Sequence, residues 1–231
     1  MYKTPLDDDT RLTPARMVIL ALAAVLALAT IAVVFALPAD QPRLSEAAAE
    51  NLPATGLLNP VTAVLLNFRG YDTLLEVAVL FLAVLGIWSM ARKARVWMKV
   101  PDSPVLTAFV RLLLPLMVIT SGYLLWLGAD APGGAFQGGA VLGGMGVLWI
   151  AATIWLPKQR LRFMLRLLLI IGLTAFIVVG LLLLLNEGAF LQYPPEQAKA
   201  LILLIEGAAT ISIGVTLMLL FLGGIPERQD D

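Results

Sequence analysis

The sequence has 231 residues, of which 60% are hydrophobic and 14% charged, with a mean hydropathy of +0.90, so a water-soluble domain of this composition would expose large apolar patches. Lys plus Arg and Asp plus Glu number 16 each, which excludes the basic surface of a nucleic-acid-binding protein. Cysteine and histidine are absent, which excludes disulfides, thiolate chemistry and the usual zinc, copper and haem ligands. We therefore expect a protein of the lipid bilayer without a metal or cofactor.

Six segments are apolar and long enough to cross a bilayer as α-helices, which takes about 20 residues. In chain order they are residues 17–37, 73–90, 105–127, 138–156, 165–185 and 199–222. The first segment is too long for the apolar part of a cleaved signal peptide, and Asp7, Asp8 and Asp9 before it are unusual in one, which favours a retained helix. The predicted fold class is all-α, with about six transmembrane helices.

The distribution of positive charge predicts the orientation, because cytoplasmic flanks of membrane spans are enriched in Lys and Arg. With six spans, 13 of the 16 basic residues fall on the side of the two termini. The other side holds Arg43, Arg69 and Lys199. Both termini are therefore predicted to be cytoplasmic.

The outer polar segment, residues 38–72, contains one apolar piece that is too short to cross a bilayer. This piece covers residues 60–66. Unpaired backbone groups are not tolerated in lipid, so we expect it to lie laterally, at the interface or as a re-entrant segment packed against protein.

Two carboxylates occur inside the predicted spans, where a charge costs about 2.5 to 3.5 kcal/mol on insertion scales. Glu76 follows Asp72 by four residues, so the two share a helix face, with Arg69 shortly before them. This arrangement suits a proton relay, and it also suits an interfacial anchor of the helix. Glu206 is the second carboxylate, and it is either part of an ion path or a buried group bonded to a neighbouring helix.

Residues 128–146 contain eight glycines and form the most distinctive segment of the chain. Gly133 and Gly134 after Pro132 predict a tight turn that enters the fourth helix from outside. Gln137 stands at the start of that helix, where its amide is expected to bond exposed backbone groups or to line a polar path.

Glycines recur four residues apart in the same segment, from Gly134 to Gly138 and from Gly139 to Gly143. Such small faces allow another helix to pack closely. No GK[ST] sequence follows, so the segment is not a phosphate-binding loop.

Two motifs resemble known membrane complexes. PGGAFQGG resembles the PGGGFQGG signature of the B subunit of Mrp-type multisubunit sodium/proton antiporters, and the resemblance extends over residues 106–221. NPVTAVLLNFRGYDTLLE, residues 59–76, resembles a segment near the C-terminus of the A subunit and its counterpart in the E subunit of membrane-bound hydrogenases. The first motif, an assembly or loop motif, comprises Pro132, Gly133, Gly134, Phe136, Gln137, Gly138 and Gly139, with Ala135 in place of the third glycine.

The resemblance implies two fused modules in one chain. The first, residues 1–104, has two spans and resembles the C-terminal region of the A subunit. The second, residues 105–231, has four spans and resembles the B subunit.

The function implied is that of a non-enzymatic subunit of a multisubunit cation/proton antiporter, in a bacterial or archaeal cytoplasmic membrane. Its partners would be other membrane subunits, the lipid bilayer, H⁺, and Na⁺ or another monovalent cation. Glu76 is implied in the ion path, and we add Asp72, Arg69 and Glu206 as candidates. The alternative is a structural or ion-translocating subunit of a redox-driven complex related to respiratory complex I, such as a membrane-bound hydrogenase.

Overall fold

The computed structural model describes residues 14–36, 44–90, 103–153 and 159–223, and within these ranges the chain is helical and contains no strand. The long helices are α1 (Pro14–Ala36), α4 (Gly70–Met90), α5 (Pro104–Leu127), α6 (Ala135–Thr153), α7 (Gln159–Glu187) and α8 (Pro195–Leu222). The short elements are α2 (Leu44–Asn51), a 3-10 turn (Leu52–Thr55), α3 (Pro60–Thr62) and a π-helical segment (Ala63–Phe68).

The chain divides into two compact units, Met1–Ala47 and Ala48–Asp231. The first unit contains α1, whose stretch Met17–Ala36 is uncharged and highly apolar. Its one hydroxyl, that of Thr30, donates to the carbonyl of Leu26 at 2.8 Å, so this polar group is satisfied within the helix. A helix of this kind suits a lipid environment, because its backbone groups are paired within the helix.

Helix α8 is the central helix of the second unit, because it packs against α4, α5, α6 and α7. Twelve of its residues are buried, and they include small and hydroxyl side chains on the faces towards α6 and α7. The hydroxyl of Ser212 donates to the carbonyl of Leu169 in α7 at 2.5 Å. Gly172 of α7 lies against Ala209, where an added Cβ would come within 2.9 Å of the Ala209 Cα. These small contacts let α7 and α8 approach closely.

The glycine face of α6 packs against α8, as the spacing predicts. A Cβ on Gly139 would lie 2.7 Å from Cγ2 of Ile213, and one on Gly143 would lie 3.0 Å from Cβ of Leu217. Contacts this short leave no room for a larger residue, so the glycines set the distance between the two helices. Gly138 faces α5, where its carbonyl accepts a 2.8 Å hydrogen bond from the Ser121 hydroxyl.

Five helices of the described residues are long and apolar enough to cross a membrane, and α6 adds a shorter apolar stretch from Ala135 to Ile150. The chain is thus an all-α membrane protein, as its composition predicts. Each helix covers most of one predicted span, with its ends shifted by a few residues; α6, for example, begins three residues earlier than the predicted span at 138. The count of six spans remains a prediction. Both termini and the basic linkers at 91–102 and 154–158, on which the predicted orientation rests, lie outside the described residues.

The apolar piece predicted at residues 60–66 is helical and packed into the protein. It consists of α3 and the start of the π-helical segment, and Ala63 and Leu66 are buried in the main hydrophobic cluster with residues of α7 and α8. The π-helical segment ends with the N–H of Arg69 bonded to the carbonyl of Val64 at 2.8 Å. Residues from both predicted modules therefore share one core within the second unit.

Candidate functional site

The glycine-rich turn after α5 is held by its own backbone. The N–H of Gly134 donates to the carbonyl of Leu124 at 2.8 Å, which folds the turn back onto the end of α5. Gly134 has a φ of +110°, a conformation that side chains with a Cβ rarely adopt. Helix α6 begins at the next residue, Ala135. The predicted tight turn before the fourth helix of the sequence is therefore confirmed.

Glu206 meets the first residue of α6. It lies eleven residues after Pro195, about 16 Å along α8 at the helical rise of 1.5 Å per residue. Its side chain is buried, and its Oε1 accepts a hydrogen bond from the N–H of Ala135 at 3.4 Å. The first N–H groups of a helix have no partner inside the helix and carry its positive partial charge, so this end of α6 is suited to a carboxylate. Its other oxygen, Oε2, is buried and has no hydrogen-bond partner among the described residues.

Glu206 lines a cavity of about 240 Å³ between α3, the π-helical segment, α4, the glycine-rich turn, the start of α6, α7 and α8. Three further polar side chains line it, those of Thr62, Thr73 and Gln137. A Cβ built on Gly134 would meet Oε1 of Glu206 at 2.7 Å and Oε1 of Gln137 at 3.8 Å, so both oxygens converge on this glycine. The cavity combines a carboxylate with neutral oxygen groups in an otherwise apolar wall.

A second, more open space of about 790 Å³ lies beside this cavity, and we call it the groove. Its charged lining comes from Arg69, Asp72 and Glu76, the three candidates near the start of α4. Arg69 and Asp72 form a partly exposed ion pair. Asp72 and Glu76 do face the same space, as their spacing predicts. Because Arg69 pairs with Asp72, the Glu76 carboxylate is a separate negative group of the groove.

Leu65 and Phe136 line both spaces. The structure thus brings all four ionisable candidates and part of the glycine motif into two neighbouring spaces whose walls are otherwise largely apolar. Glu206 is in the cavity, and the other three are in the groove. Gly138 and Gly139 contribute instead to the contacts of α6 with α5 and α8.

Asn59 is a buried polar residue next to the site whose structural role sequence reasoning missed. Its buried side-chain amide, Nδ2, donates to the Gly128 carbonyl at 2.7 Å, to the Ala131 carbonyl at 2.8 Å and to the Thr62 hydroxyl oxygen at 3.1 Å. Its Oδ1 accepts from the N–H of Val61 at 3.0 Å and so caps α3. One side chain thereby binds α3 to the loop that leads into α6. The signal available in the sequence is the pair Asn-Pro, which is typical of a helix N-cap followed by proline at the first position.

An ion pair lies on the same loop. Nζ of Lys199, in α8, lies 2.7 Å from Oδ2 and 2.8 Å from Oδ1 of Asp130. Both side chains are partly exposed, so the pair contributes at most about 1 kcal/mol. Its geometry places the start of α8 next to the glycine-rich turn.

A comparison with family models matches residues 105–225, just over half of the chain, to the domain related to the MnhB subunit of Na⁺/H⁺ antiporters. The chain belongs to this family. In this MnhB-related chain, residues 12–105 match a second model, that of the E subunit of MBH. Both motifs on which the resemblance rests lie inside the matched ranges. The chain is therefore the predicted combination of an antiporter B-like part and a hydrogenase E-like part.

Two solved structures resemble this MnhB-related chain along almost its whole length. One is a chain of the membrane-bound sulfane sulfur reductase, an archaeal respiratory membrane complex, with a TM-score of 0.68 and 24% identity over 94% of this chain and 100% of the other. The other is a chain of the Mrp complex from Dietzia sp. DQ12-45-1b, with a TM-score of 0.62 and 26% identity over 96% of this chain. This chain spans only 27% of that Mrp chain. A search of curated proteins found no match.

Proposed function

We propose that this MnhB-related chain is a non-catalytic subunit of a multisubunit cation/proton antiporter, in which it contributes to the ion path and to assembly. The transported ions are H⁺ and Na⁺ or another monovalent cation, and the partners are other membrane subunits in a bacterial or archaeal cytoplasmic membrane. The observation that carries the proposal is Glu206, a buried carboxylate deep in α8 that lines a cavity next to the charged groove. A carboxylate in such a position is costly and marks an ion or proton path by default.

The carboxylates in the two spaces support a path with two stations. In the groove, Glu76 is available to exchange ions with the outer side, beside the Arg69–Asp72 pair. In the cavity, Glu206 binds the ion or proton deeper in the membrane. The ionisable groups of both spaces lie toward one end of the helices, because Arg69, Asp72 and Glu76 are near the start of α4 and Glu206 is in the first half of α8. The remainder of the path is therefore supplied by partner subunits.

The test is exchange by the complete complex reconstituted in liposomes. With Glu206→Gln, we expect the collapse of a pH gradient on addition of Na⁺ or K⁺ to slow by about tenfold or more, because the amide cannot release a proton or carry a negative charge. Glu196→Gln is the matched control: it makes the same change at an exposed position in the first turn of α8, and it should leave exchange unchanged. Normal exchange with Glu206→Gln would remove this residue from the mechanism.

Glu76→Gln tests the second station in the same assay. A loss of exchange that is smaller than that of Glu206→Gln is expected, because the Glu76 side chain is exposed in the open groove, whereas that of Glu206 is buried in the cavity. Exchange at the parent rate would limit the ion path of this chain to the cavity.

A second candidate function is a subunit of a redox-driven complex related to respiratory complex I. The match of residues 12–105 to the model of the E subunit of MBH favours it. In this function the same cavity and groove would serve ion translocation driven by electron transfer. Purification of the native complex in mild detergent distinguishes the two: iron–sulfur subunits that co-purify indicate the redox-driven complex, and antiporter subunits without them indicate the exchanger.

A further inference from the structure

Among the described residues, the groove and the cavity meet at two apolar side chains and at no polar one. Leu65, in the π-helical segment, and Phe136, in the first turn of α6, are the residues that line both spaces. The charged groups Arg69, Asp72 and Glu76 line the groove alone, whereas Glu206 lines the cavity alone. Leu65 and Phe136 therefore lie where the groove and the cavity adjoin.

We propose that Leu65 and Phe136 form an apolar gate that controls access from the groove to Glu206. This proposal rests on the proposed function for its role in exchange, but the barrier itself can be measured without transport. Hydrophobic constrictions stop ions by excluding the water that ions need. Both side chains are partly buried and pack against the main hydrophobic cluster, so the barrier is part of the folded core.

Each gate residue is held through the polar groups of the cavity. The carbonyl of Leu65 accepts a hydrogen bond from the Thr73 hydroxyl at 2.5 Å, and Thr73 lines the cavity. The N–H immediately before Phe136, that of Ala135, donates to Glu206 at 3.4 Å. The residue before Phe136 is thus in contact with the carboxylate of the cavity through Oε1, while Oε2 has no partner among the described residues.

The absence of cysteine from the chain allows the gate to be tested by labelling one engineered thiol. Ala209→Cys places a thiol in α8 on the cavity wall, away from the groove lining. The complete complex in detergent is treated with a small positively charged methanethiosulfonate reagent, and the mass of this chain reports the labelling rate. We expect slow labelling of Ala209→Cys alone, and labelling faster by roughly tenfold or more after addition of Phe136→Ala or Leu65→Ala, because either change opens the apolar constriction.

Two variants separate a gate from loosened packing. Phe136→Leu keeps an apolar side chain at the constriction and should label as slowly as the parent. Phe176→Ala makes the same truncation at a fully buried residue that lines the cavity but not the groove, so it should also label slowly. Every variant is first checked for co-purification with its partner subunits, and Leu65→Ala replaces Phe136→Ala if the latter does not assemble.

Equal labelling of the parent and of the variant that opens the constriction would overturn the gate. So would equal acceleration by Phe176→Ala, since that result would show that any lost packing admits the reagent. The result is independent of the proposed function. If the labelling confirms the gate but Glu206→Gln exchanges normally, the barrier exists and has no role in exchange. If the labelling is unchanged but Glu206→Gln loses exchange, only the gate is refuted.

Discussion

Asn59 offers the sharpest test of how this chain is held together. Asn59→Ala removes the two N–H groups of Nδ2, which three acceptors share, and the hydrogen bond accepted by Oδ1. The Gly128 carbonyl keeps a partner in the Thr62 hydroxyl, at 2.5 Å, whereas the bond to the Ala131 carbonyl is lost without such a replacement. With about 1 kcal/mol for each of the two amide N–H groups, and about 1 to 2 kcal/mol for the carbonyl left without a partner, we expect a loss of about 3 to 4 kcal/mol.

The assay is unfolding of the purified chain in mild detergent by titration with SDS, followed by circular dichroism. Asn186→Ala is the matched control, because Asn186 is exposed near the end of α7 and its replacement should change the free energy of unfolding by less than about 0.5 kcal/mol. Asn59→Asp keeps the acceptor of the helix cap but turns a carboxylate towards the carbonyls of Gly128 and Ala131. It should therefore destabilise at least as much as Asn59→Ala. A loss below about 1 kcal/mol for both Asn59 variants would refute the assignment of the amide as the link between α3 and the loop.

Two further variant sets use the same titration. Gly139→Ala places a Cβ 2.7 Å from Cγ2 of Ile213 and should destabilise the chain by about 1 to 3 kcal/mol. Gly86→Ala is the control, because its Cβ meets nothing within 4 Å and should stabilise the chain by up to about 1 kcal/mol. Changes of the same sign in the free energy of unfolding of both variants would contradict the close α6–α8 contact. Burial raises the pKa of the Tyr193 phenol. As the pH rises through the ordinary tyrosine pKa of about 10, this phenol ionises in the unfolded chain but not in the folded one, so the parent loses stability. Tyr193→Phe should reduce the loss measured between about pH 8 and about pH 11, and an unchanged pH dependence would count against a neutral, buried phenol.

The helices and the glycine turn were predictable because their signals are local. An apolar run of sufficient length fixes a membrane helix, and the sequence Pro-Gly-Gly fixes a turn whose last residue, Gly134, has a positive φ. Helical periodicity predicts that Gly139 and Gly143 lie on the same face of their helix. Which helix packs there does not follow, because the partner, α8, lies some 70 residues further along the chain.

The site was only partly predictable for the same reason. The spacing of Asp72 and Glu76 places both on one face, but it does not show that Arg69 pairs with Asp72. Glu206 stands out in the sequence as a charge inside a span, whereas its partner is the backbone N–H of Ala135, which any residue other than proline would supply. The bonds of Asn59 reach residues 69 and 72 positions away, so no local pattern reveals them. The boundary between the cavity and the groove likewise depends on two apolar residues that sequence alone does not distinguish from core.

The hydrogen bonds of Asn59 bear on how a chain of this kind can be encoded. They join residues that precede the linker at 91–102 to residues that follow it, and α4 also packs on α7 and α8 across the same division. A gene split within this linker would therefore yield two polypeptides with complementary surfaces, joined by the hydrogen bonds of Asn59. Fusion of the two fixes their ratio at one to one and raises their local concentration, while recognition between them remains a property of the folded surfaces.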